Sequence, residues 1–130
     1  TNKRAIGEYT DYTEFDGYDE EKLVTQAGGI NYCIKKIYEK NPEALIYFFT
    51  SSKAFNNRGA YDPFVENSMA EYVEIQKMIC QLHGIPVLDQ FSEGGYNIYN
   101  KDLYYRDPIH MNALGYKKLG ELQVPFLAFP

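Results

Sequence analysis

Two short apolar runs constrain this chain more than anything else in it. Ala44-Leu45-Ile46-Tyr47-Phe48-Phe49-Thr50 is continuous rather than alternating, and Ile85-Pro86-Val87-Leu88-Asp89 repeats the pattern on a shorter scale. A strand that is apolar on both faces has to be covered on both faces, which is the habit of parallel sheets with helices above and below. Parallel neighbours need a long crossover, and the residues between the runs read as a helix. Asp62-Pro63 has the form of an N-cap followed by Pro at the first helical position. Val65, Met69, Tyr72, Ile75 or Gln76, Ile79 and Leu82 then mark an inward stripe, and Gly84 ends it.

A second helix precedes the first run. Asp19-Glu20-Glu21 opens it with N-terminal acids, and Leu23, Ala27, Ile30, Ile34 and Ile37 recur at helical spacing until Asn41-Pro42 stops it. Gly28-Gly29 weakens its middle by about 1 kcal/mol per glycine relative to Ala. Residues 7–18, rich in Tyr, Asp and Gly without periodicity, read as a surface loop. Beyond the second run a polar loop from Ser92 to Lys101 leads to a last helix capped by Asn112, with Tyr116, Leu119 and Leu122 facing inward until Pro125 disturbs it. The order helix, strand, helix, strand, loop, helix is an α/β unit. With 130 residues, 45% of them apolar, the chain is about one domain and can bury a core. Yet two parallel strands do not make a sheet that stands alone, because buried strands need neighbours on both sides. The sequence reads as an incomplete α/β domain.

Charge and cysteine usage narrow the partners. A formal net charge of -5 without a Lys/Arg stripe argues against nucleic acid. No apolar run approaches the ~20 residues that cross a bilayer, and no apolar stretch follows Thr1-Asn2-Lys3-Arg4, so the expectation is a soluble chain without a membrane span. Cys33 and Cys80 both fall inside apolar helical patterns, where a buried free thiol is the default, and no Cys or His pair has metal-ligand spacing. His83, just before Gly84, stands where a cation complements a helix C-terminus.

Candidate chemistry is concentrated in Asp107-Pro108-Ile109-His110-Met111-Asn112-Ala113-Leu114-Gly115-Tyr116. A carboxylate three residues before an imidazole, on a turn fixed by Pro108, reaches the Nδ1 side of the ring and leaves Nε2 outward as a general base. That is two thirds of a catalytic triad. The plainer alternative is a solvated His in an Asp-Pro turn before an N-cap Asn. Position favours the catalytic reading, since catalytic groups in open α/β sheets sit at the carboxyl ends of strands.

This block resembles the last conserved block of the SGNH, or GDSL-like, hydrolases, in which Asp-x-x-His supplies acid and base ahead of a helix carrying a Gly-Tyr pair. The resemblance implies a three-layer α/β/α sandwich with a parallel sheet, flavodoxin-like and incomplete here. Residues 1–130 would be the part from just after the third strand to the end, roughly the back two thirds, with the upstream strands and serine segment absent. No Gly-Asp-Ser block occurs in the chain. The implied activity is serine-dependent ester hydrolysis, with His110 as base, Asp107 as its orienting acid, and the serine supplied by an upstream segment. Thr1-Asn2 resembles a remnant of the family's Gly-x-Asn-Asp block, which makes Asn2 the implied oxyanion donor, although Lys3 replaces the second acid. The family requires no metal or organic cofactor, and its breadth leaves the ester open, from acylated carbohydrates to lipids.

Ser51 and Ser52 follow the first strand, but a serine there is ordinary turn chemistry, and no Gly-x-Ser-x-Gly elbow exists. The rival reading is a noncatalytic SGNH-like remnant that uses a Tyr-rich surface, from 13 tyrosines, to bind a carbohydrate or a protein. A nucleotide binder would want a Gly-rich phosphate loop, and none is present.

Overall fold

In the computed structural model, which describes residues 3–128, β1 (Phe48–Phe49) and β2 (Val87–Leu88) pair in parallel, Phe48 opposite Val87 and Phe49 opposite Leu88. The helices are α1 (Lys3–Ile6), α2 (Gln26–Lys40), α3 (Met69–His83), α4 (Gln90–Glu93), α5 (Lys101–Tyr104) and α6 (Ala113–Ala128). The α/β class is present, with a sheet of two strands among the described residues. No helix among those residues is long and apolar enough to cross a membrane.

The continuous apolar run before Thr50 has its physical reason in the packing. Ile46 and Phe48 meet the buried cluster of Ala27, Ile34, Ile79, Cys80 and Ile85, built from α2, α3 and the start of the second strand. Tyr47 and Phe49 instead lie against Phe126 of α6, with ring centroids 6.1 and 5.9 Å apart. Successive side chains on a strand point to opposite faces, so each face of β1 has its own helical cover. Burying Ile79 completely stabilises the fold by about 1.5–3 kcal/mol.

Pairing covers two residues of each run rather than the whole of 44–50 and 85–89. Pro86 has no N–H to donate and offers only its carbonyl, to the Phe48 N–H at 3.0 Å. Asp89 leaves the strand to cap α4, accepting from the Ser92 N–H at 3.0 Å. The N–H groups of Phe48 and Thr50 both face the second strand, at 3.0 Å each. By alternation those of Tyr47 and Phe49 face the other edge, where no strand lies among the described residues.

Helix starts differ from the sequence expectation. The first predicted helix is split: Glu20–Val24 is a 3-10 turn capped by Asp19, and Thr25, extended at φ -96° and ψ 158°, starts α2 afresh by accepting from the Gly28 N–H at 3.0 Å. Gly28 is required there, because a Cβ would stand 2.0 Å from the Lys22 carbonyl oxygen. Asp62 does not cap α3. Its carboxylate takes the Phe64 N–H at 2.9 Å and Arg58 Nε at 2.8 Å, and the helix begins later, at Met69. The 92–101 loop contains the end of α4, and α6 runs through Pro125 to Ala128, since Pro in a final turn removes a single donor.

Individual side chains also differ, beginning with Leu82 of the expected inward stripe and Leu23 and Ile37 of the earlier helical pattern, all of which are exposed. Cys33 is exposed on α2, whereas Cys80 is buried and its thiol is pushed up to about 11 by burial. Tyr116 lies outward on α6. His83 is not a cation at a helix end: burial holds its pKa below the ordinary imidazole value, and its Nε2 lies 2.8 Å from Asn31 Oδ1. Asn2 lies outside the described residues.

Candidate active site

Residues 105–111 form a tight loop closed by an antiparallel bridge between Tyr105 and Met111. The bridge is reinforced on either side by Arg106 N–H to the His110 carbonyl and Asn112 N–H to the Tyr104 carbonyl, each at 2.9 Å. Its base is a small core of Tyr96, Tyr105 and Met111. Tyr105 meets Phe55 edge to face at 5.0 Å, and the Tyr96 hydroxyl donates to the Gly115 carbonyl at 2.7 Å. Asn112 caps α6 through the Gly115 N–H at 2.9 Å, as its sequence position predicts. Gly115 is required by close approach, since a Cβ there would be 2.2 Å from the Tyr104 carbonyl oxygen.

At the tip of this loop Asp107 and His110 face one another. Asp107 Oδ1 accepts from the N–H groups of Ile109 at 2.8 Å and His110 at 2.6 Å, which is the turn chemistry an Asp-Pro start favours. Asp107 Oδ2 lies 2.9 Å from His110 Nδ1, with Oδ1 at 3.1 Å. The backbone N–H of His110, then that of Ile109, then the imidazole hold the Asp107 carboxyl down at about 2, so it is ionised at neutral pH. An ionised carboxylate only accepts, so Nδ1 carries the proton and Nε2 of the neutral ring keeps its lone pair. Both side chains are open to solvent, Asp107 at 42% and His110 at 54%. A cavity of about 150 Å³ adjoins Asp107, walled by Phe55, Tyr105, Arg106 and Pro108 among others.

The loop is tied to the carboxyl end of β1. The Phe55 N–H donates to the Pro108 carbonyl at 2.6 Å, and the Tyr105 hydroxyl donates to the Lys53 carbonyl. Both anchors lie just beyond Thr50 on the segment leaving the strand. The carboxyl end of β2 meets the same place, with Gln90 Nε2 donating to the Thr50 carbonyl at 2.9 Å. The sequence carried no signal for these anchors, because Lys53, Phe55 and Gln90 belong to no motif.

Ser51 and Ser52 are held for other purposes. Gln76 accepts from the Ser51 N–H at 3.3 Å and its amide donates to the Ser51 hydroxyl at 3.4 Å, while Ser52 accepts from Gln90 at 3.4 Å. Neither hydroxyl is hydrogen-bonded to a histidine. Among the described residues no group of three or more His, Cys, Asp or Glu side chains is placed to hold a metal ion.

No family model matches the chain, and no curated protein matches it at a significant level. Two solved structures do resemble it. A crystal structure of a protein from Lactobacillus plantarum, determined by the Northeast Structural Genomics consortium, superimposes with a TM-score of 0.76 over 96% of this chain and 59% of that one, at 15% identity. A second crystal structure gives 0.69 over 81% of this chain and 52% of the other, at 23% identity. At such identities the likeness is one of fold. The chain spans between half and three fifths of the length of either.

Proposed function

We propose that the chain is the base-and-acid portion of an SGNH-type ester hydrolase, folded as part of a three-layer α/β/α sandwich. The observation that carries the reading is the bond from Asp107 Oδ2 to His110 Nδ1 at 2.9 Å. Oδ1 alone satisfies both N–H groups of the turn, so the second oxygen is left to the imidazole. A carboxylate needed merely to shape the turn would leave the ring orientation free. The architecture is supported by the separate helical covers on the two faces of β1 and by the open edge at Tyr47 and Phe49.

In this mechanism His110 Nε2 takes the proton of a serine hydroxyl supplied from outside these 130 residues, as the oxygen attacks the ester carbonyl. Asp107 fixes the tautomer and stabilises the imidazolium. The tetrahedral oxyanion is met by N–H donors, among them the Asn2 amide by the family resemblance, a contribution of about 3 kcal/mol per donor. His110 then returns the proton to the departing alkoxide, and the acyl-serine is hydrolysed by a water that His110 activates. An acylated carbohydrate or a lipid ester would serve as substrate.

The test is hydrolysis of p-nitrophenyl acetate. The 130 residues alone should show none above a denatured control. The complete gene product should turn over, and Asp107→Asn should lower its rate about ten-thousandfold with the fold intact, because the amide favours the wrong tautomer. Full activity in Asp107→Asn would remove the mechanism.

A further inference from the structure

Away from the dyad, a polar cleft of about 210 Å³ is walled by Tyr12, Tyr18, Asn31, Lys35, Tyr38 and His83. Lys35 and Tyr38 lie in the C-terminal half of α2, and His83 ends α3. Both helices lead into the amino ends of the strands, so the cleft lies toward the opposite end of the sheet from the Asp107 turn.

Hydrogen bonding fixes what this cleft offers. Asn31 Nδ2 donates to the carbonyls of Tyr9 and Asp11, both at 2.9 Å, and a carbonyl can only accept. Asn31 Oδ1 is therefore the group that faces His83 Nε2 at 2.8 Å, and that nitrogen carries the ring proton. In the neutral imidazole Nδ1 is then a bare acceptor, and it has no hydrogen-bond partner among the described residues. The hydroxyls of Tyr12, Tyr18 and Tyr38 also lack protein partners there; Tyr18 is exposed, and those of Tyr12 and Tyr38 are not among the buried unsatisfied atoms, so they meet solvent.

The surrounding loop holds this arrangement rigidly. Tyr12 and Tyr18 both adopt φ 58°, a left-handed conformation costing about 1–2 kcal/mol for a residue with a Cβ. The Asp16 carboxylate sustains it by accepting from the N–H groups of Tyr12, Thr13 and Asp19, at 2.8, 3.1 and 3.2 Å. Tyr12 and Tyr18 meet edge to face at 5.7 Å. Backbone strain at two residues whose side chains line one cleft is a pointer to binding. Charge disfavours an anionic ligand: the Lys35 ammonium is already paired with Glu39 and lies 5.0 Å from the centroid of Tyr18, and the remaining charged wall, Glu14, is acidic. What suits three phenol hydroxyls, one bare ring nitrogen and aromatic walls is a neutral molecule rich in hydroxyls.

We propose that this cleft is a carbohydrate-binding subsite, taking one neutral sugar ring through the hydroxyls of Tyr12, Tyr18 and Tyr38 and the Nδ1 acceptor of His83. The site does not rest on the hydrolase reading. It would hold a glycan chain at a distance from the dyad, whatever chemistry the dyad performs.

The experiment is an NMR titration of the complete gene product with xylohexaose, cellohexaose, mannohexaose and chitohexaose in turn, following the imidazole nitrogens of His83. At least one of the four should move the Nδ1 resonance in a saturable way at millimolar sugar. Tyr18→Phe, which keeps the ring against Tyr12 and loses only the hydroxyl, should weaken that binding by roughly three- to tenfold, the effect of one hydrogen bond. Tyr18→Ala should weaken it further, and His110→Ala should leave it unchanged. If none of the four sugars perturbs His83 at millimolar concentration, or if binding is undiminished in both Tyr18 variants, the subsite does not exist.

Discussion

Asp107 divides its oxygens between two tasks, and His83 shows the opposite use of an imidazole. At Asp107 the native state keeps a carboxylate ionised down to about pH 2 that the unfolded chain protonates near 3.8. Its stabilising effect is therefore complete above about pH 3.8 and is lost as the pH falls toward 2. At His83 burial depresses the native pKa below 6.5. The unfolded chain takes up a proton that the native state refuses, so stability should decline as the pH falls below about 6.5 and level off below the native value. Urea unfolding of the wild type should show a lower midpoint at pH 5 than at pH 7.5. His83→Gln, which retains an N–H toward Asn31 without a titrating ring, should flatten that difference, and an unchanged slope would show that the burial of His83 is not its cause.

Among the elements, the two glycines of α2 separate a sequence rule from a structural one. Composition treats Gly28 and Gly29 alike, as weak points in a helix, yet a Cβ on Gly28 would strike the Lys22 carbonyl while one on Gly29 meets nothing within 4 Å. Gly29→Ala should stabilise by about 1 kcal/mol and Gly28→Ala should destabilise by about 1–3 kcal/mol, as read by thermal unfolding. The body of α2 and α3, the parallel pairing of the two runs, the Asn112 cap and the Asp107 to His110 bond were all legible, because periodicity and short-range spacing encode them. The breaks were not. Thr25 restarts a helix where its hydroxyl also donates to Asp11 Oδ2 at 2.9 Å, from a distant part of the sequence, and Asp62-Pro63 carries a cap signature that serves a turn instead. The anchors of the 105–111 loop, Phe55 to Pro108 and Tyr105 to Lys53, join residues more than fifty positions apart and leave no local pattern. Strand pairing makes its own prediction: in hydrogen exchange the amides of Phe48 and Thr50 should be protected and those of Tyr47 and Phe49 should exchange quickly. Equal protection at all four would mean that the outer edge of β1 is covered within this chain.

As a whole molecule the chain covers both faces of β1 with helices and leaves one edge of that strand without a partner strand among the described residues. Phe126 shields Tyr47 and Phe49, yet Val124 and Leu127 on the same helix stay exposed, as does Leu45 before the strand. An open strand edge invites another strand. A segment bringing both that strand and a serine would complete the sheet and the triad together. In the proposed mechanism His110 activates a serine lying outside residues 1–130. The most direct test is labelling of the complete gene product with a fluorophosphonate probe, followed by mapping of the modified residue by mass spectrometry. One labelled serine is expected outside these 130 residues, with labelling abolished in His110→Ala and sharply slowed in Asp107→Asn. Labelling at Ser51 or Ser52, labelling indifferent to His110→Ala, or no labelled serine at all would contradict it.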